Sequence, residues 1–332
     1  MCSLLTDCPA PLAESRSYWS IVLHRFLQDR LALLALVFLC ALAVSALFAP
    51  SISSALGVNP YQTDPENVLA PPELIRHMKS GWNPRSKQNT WLTSTSVVPH
   101  WLGTDQLGRD HLARLLFGGR VSLFIALAAG TLQLVLGVGM GVVAGYCSGS
   151  VDDVVVWSIN TVASVPMIYL LITAAAIFGP SVLALIVLLG SLGWVATARL
   201  IRGSVLRIRE QGYIEAARAL GASDSRIIFR HVIPNCVNII LVNTSMSVGS
   251  LILTESTLSF LGLGVQPPIA SWGNMLNRGL GLLFLRDPAT GAPTALHLIL
   301  APGLLITLTV LALYLISDGL RDALDPTLRS VT

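Results

Sequence analysis

The sequence predicts an all-α membrane protein with six transmembrane helices and both termini on the cytoplasmic side. Three observations carry that prediction. Only 12% of the 332 residues are charged and 53% are hydrophobic, against roughly 25% charged in an average soluble domain. Six runs are apolar and long enough for the about 20 residues that cross a hydrocarbon layer: 30–49, 119–145, 154–178, 181–199, 236–262 and 297–317. Arginine and lysine gather on the cytoplasmic side of membrane proteins. With six crossings, the N-terminal segment, the segment 199–235 and the C-terminal tail share one side and hold 12 of the 21 basic residues. Seven of the other nine lie in the loop 50–120, and long loops count less.

Composition also excludes classes of function. The only lysines are Lys79 and Lys87, and neither stands in the Gly-Lys-Ser/Thr of a phosphate-binding loop. Nucleotide hydrolysis is therefore expected on another chain. A net charge of +3 with scattered arginines gives no nucleic-acid footprint. The five cysteines form no C-x-x-C pair, so neither a disulfide nor a metal site is expected.

Each element has its own justification. Crossing one follows Arg16, Arg25 and Arg30 and has no small-residue cleavage site, so it reads as an uncleaved anchor within a first unit, 1–50. The extracytoplasmic loop 51–118 is rich in proline (Pro60, Pro65, Pro71, Pro72, Pro84) and carries Trp82, Trp91 and Trp101. Its end, "LGTDQLGRDHLARLLFGGR" (102–120), predicts a short interfacial helix feeding crossing two. Thr104 or Asp105 would cap it, and Leu107, Leu112, Leu115 and Leu116 would form its apolar side. Crossing two contains Gly137, Gly141 and Gly145, a doubled small-xxx-small pattern that lets another backbone come close. Crossing three has Asn160, Ser164 and Pro166, and the proline predicts a kink. Gly179-Pro180 is a tight turn into crossing four.

Crossing five differs from the others. Asn243, Ser247, Ser250, Thr254 and Thr257 are spaced 4, 3, 4, 3 and form one polar stripe, which should face a partner helix or a watery path. Beside it stands Glu255, a carboxylate well inside a crossing and by default a functional candidate. These six are the candidate residues of a translocation path.

Between crossings four and five lies "YIEAARALGASDSRIIFRHVIPN" (213–235), charged and alanine-rich in a chain that otherwise avoids charge. Its alanines favour helix, Gly221 suits the left-handed position that stops one, and Ser223 is placed to cap a second. Pro234 then starts crossing five, a position that tolerates its missing N–H. The segment reads as two helices joined at a corner. On pattern alone it is either a surface helix pair at the membrane interface or a docking element.

"EAARALG" (215–221), followed by a stretch ending in "HVIPN", resembles the EAA loop of permease subunits in ATP-binding-cassette importers. "LGTDQLGRD", "LSFLGLGVQPPIASWG" (258–273) and "DGLRDALDP" (318–326) look like the second permease of the dipeptide, oligopeptide and nickel class. The resemblance implies the type I importer permease fold, with the transmembrane domain at 119–318, coupling helices at 213–233 and a cytoplasmic tail at 319–332. It implies that Glu215, Ala216, Ala217, Arg218, Gly221, Asp224, Arg226, Arg230 and Pro234 serve contact with a cytoplasmic ATPase. It further implies a homologous second permease, two ATPase subunits that hold ATP and magnesium, an extracytoplasmic solute-binding protein and a bacterial inner-membrane location. No cofactor is expected on this chain, and the cargo is a peptide, with nickel as the alternative. An ion-coupled carrier would need several paired ionisable groups at mid-membrane. An intramembrane serine protease would need a base within reach of Ser191, for which His297 is a candidate.

Overall fold

A computed structural model describes residues 18–70, 72, 100–285 and 295–324. Among them the chain is helical, with one isolated bridge between Thr104 and Asp110. Lys79, Lys87, Trp82, Trp91, Arg16 and the tail beyond residue 324 lie outside the described residues. Three helices and a turn come first: α1 (Tyr18–Gln28), α2 (Arg30–Leu47), α3 (Ala49–Ala55) and a 3₁₀ turn at Pro65–Asn67. Asp29 caps α2, accepting from the Leu31 and Ala32 N–H groups at 2.9 and 3.2 Å. The remaining helices are α4 (His111–Cys147), α5 (Ser150–Ala163), α6 (Met167–Phe178), α7 (Val182–Arg209), α8 (Gly212–Ala219), α9 (Asp224–Phe260), α10 (Trp272–Leu280) and α11 (Leu296–Leu324).

Five of these, α2, α4, α7, α9 and α11, are long and apolar enough to span a membrane. The expected third crossing is a broken one: α5 and α6 meet at 81°. Pro166 explains the break, since it stands at the cap of α6 and has no N–H to give. Ser164 closes α5 instead, its N–H on the Asn160 carbonyl at 2.9 Å and its hydroxyl on the Thr161 carbonyl at 2.7 Å. At the next turn Gly179 adopts φ +79°, and Ser181 caps α7 by accepting from the Ala184 N–H at 3.0 Å.

Two local expectations are corrected. Residues 102–120 do not form a separate helix: α4 begins at His111 and runs unbroken for 37 residues, so residues 111–120 are its first turns. Its cap is Asp110, which accepts from the Ala113 N–H at 2.7 Å. Thr104 is occupied elsewhere, donating to the Asn67 carbonyl and accepting from the Ala70 N–H. The second half of the charged segment is likewise not a helix of its own, because residues 224–235 are the first turns of α9. Pro234 cannot donate back to the Arg230 carbonyl, and its ring would crowd that group. The helix relieves this by widening to π geometry over Ile228–Val232, with the Ile233 N–H reaching the Ile228 carbonyl. The Asn235 side chain bonds the His231 carbonyl at 2.6 Å. The Ser223 hydroxyl makes no capping bond and lies 3.3 Å from the Ser225 hydroxyl.

The core lies where α4, α7, α9, α10 and α11 converge, around Ile125, Leu189, Ile252, Leu258 and Trp272. The most extensive helix contact is α4 on α7. Gly137, Gly141 and Gly145 face it: a Cβ at each would come within 2.6 Å of Thr197 Cβ, 2.7 Å of the Ala198 carbonyl and 2.8 Å of Val205 Cβ. At Gly139, on another side of α4, a Cβ would meet nothing within 4 Å. Gly141→Ala should therefore destabilise by about 1–3 kcal/mol, whereas Gly139→Ala should be neutral or slightly stabilising. Thermal unfolding of the purified assembly compares them, and equal melting temperatures would contradict the seam.

Candidate functional site

The charged corner is built from its backbone outward. α8 ends at Ala219, and Gly221 turns the chain at φ +79°. The Gly221 N–H bonds the Arg218 carbonyl at 3.0 Å and the Ala222 N–H bonds the Ala217 carbonyl at 3.1 Å, the paired closure of a Schellman motif. α9 begins three residues later at Asp224, so two helix ends meet over a short, fully bonded turn.

The inward side of the corner is anchored. Ile214, Ile227, Val232 and Cys236 are buried together with Val142 and Tyr146 of α4 and Ile201 and Val205 of α7. A polar staple reinforces this packing. The Tyr146 hydroxyl donates to Asp224 Oδ1 at 2.7 Å and accepts from Arg218 Nη2 at 3.4 Å. The Arg218 guanidinium also stands 5.8 Å from the centre of the Tyr146 ring, within cation–π range. One phenol at the inner end of α4 thus holds the last turn of α8 and the first turn of α9. Two more contacts close the same end of the bundle: Arg202 grips Asp152 of α5 at 2.5 and 2.7 Å, and Arg209 donates to the Gly145 carbonyl at 3.2 Å and to the Ser148 hydroxyl.

The outward side is bare. Glu215, Ala216, Arg226, Arg230 and Pro234 are exposed, and Ala217 is half-buried. Glu215, Arg226 and Arg230 form no ion pair among the described residues. Leu220 is 88% exposed and Phe229 73%. These two large apolar side chains stand among charges that are unpaired within the described residues. Of the sequence candidates, Arg218 and Asp224 turn inward to Tyr146, while Glu215, Arg226 and Arg230 remain outward. Tyr146, Leu220 and Phe229 were not among the candidates. Tyr146 sits 78 residues from Asp224 at the end of an apolar run, and no spacing rule joins the two.

The polar stripe of crossing five divides along its length. Toward the inner end, Asn243 donates to Thr197 of α7 at 3.0 Å, and Gln133 of α4 reaches the same hydroxyl at 3.5 Å, so this end ties three helices together. Ser247 is half-buried. Further along, Ser250, Thr254 and Thr257 bond carbonyls of their own helix at 3.2, 2.8 and 2.8 Å. Ser250 and Thr257 are exposed on this chain. Glu255 stands apart from the stripe and is 0% exposed. It accepts from the Ser259 hydroxyl at 2.7 Å and the Ser256 hydroxyl at 3.5 Å, and the hydroxyls of Ser122 and Ser271 lie nearby. Three of these serines also accept a backbone N–H: Ser259 from Val265, Ser122 from Trp272 and Ser271 from Asn274. Glu255 is thus the centre of a knot joining α4, α9, α10 and the loop before α10. Ser191 donates to its own helix at the Leu188 carbonyl, and His297 stacks edge-on against His111 at 6.0 Å.

The family model of the binding-protein-dependent transport system inner membrane component matches residues 137–330. That of the N-terminal TM domain of oligopeptide transport permease C matches residues 17–72. The oligopeptide transport system permease protein OppC of Bacillus subtilis is 34% identical over 95% of this chain and 92% of its own length. The dipeptide transport system permease protein DppC of the same organism is 39% identical over 74% of this chain and 76% of its own. The glutathione transport system permease protein GsiD of Pectobacterium atrosepticum is 42% identical over 70% and 74%. A chain of the inward-facing MetNI methionine ABC transporter superposes with a TM-score of 0.50 at 19% identity, covering 64% of this chain and 98% of that one; at that identity it speaks for the fold alone. The chain belongs to the binding-protein-dependent transport system inner membrane components: it is a multi-pass permease subunit of an ATP-binding-cassette importer, and not itself an enzyme.

Proposed function

We propose that this permease carries peptides, and that the corner at 213–233 receives the stroke of two cytoplasmic ATPases and passes it to α4. The observation that carries the reading is the two-sided corner. Its outer face is exposed and apolar with unpaired charge, and its inner face is stapled by Tyr146. A rigid helix pair transmits a displacement that a slack loop would absorb. ATP and magnesium belong to the ATPase subunits in this reading, since the sequence has no phosphate-binding loop. A second, homologous permease completes the path, with Ser250, Thr254 and Thr257 turned toward it, and a solute-binding protein delivers cargo from outside. Peptide as cargo is supported by the names of the relatives, which are oligopeptide, dipeptide and glutathione permeases.

Two substitutions test the outer face in the assembled importer. Glu215→Arg reverses an exposed charge, and Gly221→Pro forbids the observed φ of +79° because proline holds φ near −65°. Each should lower uptake by about tenfold or more, equivalent to about 1.4 kcal/mol of lost coupling, while basal ATP hydrolysis persists. Unchanged uptake in both would overturn the coupling role.

The inner face has its own test. Tyr146→Phe keeps the ring and removes the bond to Asp224. Coupling contributions of single residues run at about 0.5–2 kcal/mol, so peptide imported per ATP hydrolysed should fall about two- to thirty-fold with the ATPase rate preserved. A double-mutant cycle with Asp224→Asn should show the two losses to be non-additive. Full additivity would mean that the bond plays no part in transmission.

A further inference from the structure

The outer end of the chain holds a second polar cluster that neither the corner nor the stripe uses. Asp105, Arg109, Asp110, His111 and Arg114 are all buried where the loop 100–110 enters α4. Most of their charge is matched. Asp110 caps α4 and lies 2.8 Å from His100 Nδ1. Asp105 receives Arg109 Nε at 2.8 Å and Nη2 at 2.6 Å, together with the N–H groups of Leu107 and Arg109. Burial pushes its carboxyl upward, but the Arg109 guanidinium and these backbone donors outweigh it and hold the group below its ordinary 3.8. Asp105 is therefore ionised at neutral pH, and Arg109 balances it.

Arg114 is the surplus charge. It is 1% exposed. Its Nε is 3.5 Å from Asp105 Oδ2, its Nη1 is 3.3 Å from the Pro60 carbonyl, and its Nη2 has no hydrogen-bond partner among the described residues. His111, 2% exposed, has an Nε2 that is likewise unpartnered among the described residues. Both side chains line a cavity of about 20 Å³ together with Asp105, Gln106, Arg278 of α10 and Leu298 of α11. Arg278 forms no ion pair with a described residue. Burial and the nearby Arg109 charge lower its pKa, which reports a local excess of positive charge.

Among the described residues, Arg109, Arg114 and the half-exposed Arg278 thus stand around the Asp105 carboxylate at the N-terminal, positive end of a 37-residue helix, where Asp110, the other buried carboxylate, is engaged by the helix cap and His100. A buried cation without a counter-charge is costly. A site needs about 10–15 Å³ to hold one water-sized species. This cavity admits such a species. A water would satisfy the free donors but leave the charge uncompensated. We propose that the cavity between α4, α10 and α11 binds a single small monovalent anion, chloride under ordinary conditions, held by Arg114, His111 and Arg278. The ion fastens the loop 100–110 to α10 and α11, and so braces the outer face of the permease.

The test uses the assembled importer exchanged into gluconate and titrated with chloride or bromide at constant ionic strength. The unfolding temperature should rise saturably by about 2–4 °C, the shift expected for a modest stabilisation of a domain this size. Arg278→Gln, at the half-buried edge of the cavity, should fold and lose that response. Crystals grown in bromide should give an anomalous peak between Arg114 and Arg278. An unfolding temperature indifferent to halide, a response retained in Arg278→Gln, or a cavity without a bromide peak would each overturn the proposal. Transport enters none of these measurements, so their outcome is separate from that of the coupling reading.

Discussion

The close approach of α4 to α7 is the constraint on which the rest of the chain depends. Between two apolar helices in lipid no hydrophobic force operates, because the surrounding tails are as apolar as leucine. What remains is dispersion, which demands contact at short range. Gly137, Gly141 and Gly145 supply that range by removing the Cβ atoms that would strike Thr197, Ala198 and Val205. The seam runs to the inner end of α4, and the next residue after Gly145 is Tyr146. The contact that holds two crossings together therefore also sets the height and rotation of the phenol that staples the corner. Arg209, from the last turn of α7, closes the seam on the Gly145 carbonyl.

A chain in lipid must find partners for every polar group it keeps, and this one uses three solutions. Threonines and serines that face outward bond carbonyls of their own helix, as Ser250, Thr254 and Thr257 do. Gln133, Thr197 and Asn243 meet one another between three helices. Glu255 is enclosed by serine hydroxyls, three of which relay to backbone N–H groups of the loop 261–271 and α10. The third solution explains why "LSFLGLGVQPPIASWG" carries its small residues. A Cβ at Gly264 or Gly273 would strike Ser259 or Ser256 at 2.2–2.4 Å, so those glycines make room for the knot itself.

The crossings were legible in the sequence because apolar length is a direct consequence of bilayer thickness. So were the glycine spacing on α4, the left-handed Gly221 and the proline at 166. What the sequence left open was continuity. Residues 102–120 contain capping residues and an apolar side, yet Asp110 won the cap, and nothing after it interrupts the helix before Ser148. Likewise Gly221 and Ser223 read as a stop and a fresh start, while Pro234 read as another start. Only the π turn at Ile228–Val232 shows how a helix can pass a proline without ending. The sequence also grouped Glu255 with the stripe, because 254, 255 and 257 are neighbours along the chain. One residue is about 100° of rotation on a helix, enough to separate an outward threonine from a carboxylate at the centre of a knot. Tyr146 was out of reach, since its role exists only once residues 146 and 224 are brought together.

These contacts divide the chain into parts that move together and a part that need not. α9 is held to α4 at its inner end through Asp224 and Tyr146, and further out it packs on α4 in the core around Ile125, Ile252 and Leu258. α7 is held to α4 along the glycine seam. The corner at Gly221 therefore adjoins a block in which α4, α7 and α9 are packed and bonded to one another. α5 and α6 stand differently. They meet each other at 81° over a three-residue break, and among the side-chain polar contacts of the described residues it is the Arg202 grip on Asp152 that ties α5 to the block. Packed interfaces of this kind switch between discrete arrangements more readily than they deform. The glycine seam and the Tyr146 bonds thus join α4, α7 and α9, whereas the third crossing is broken at Pro166.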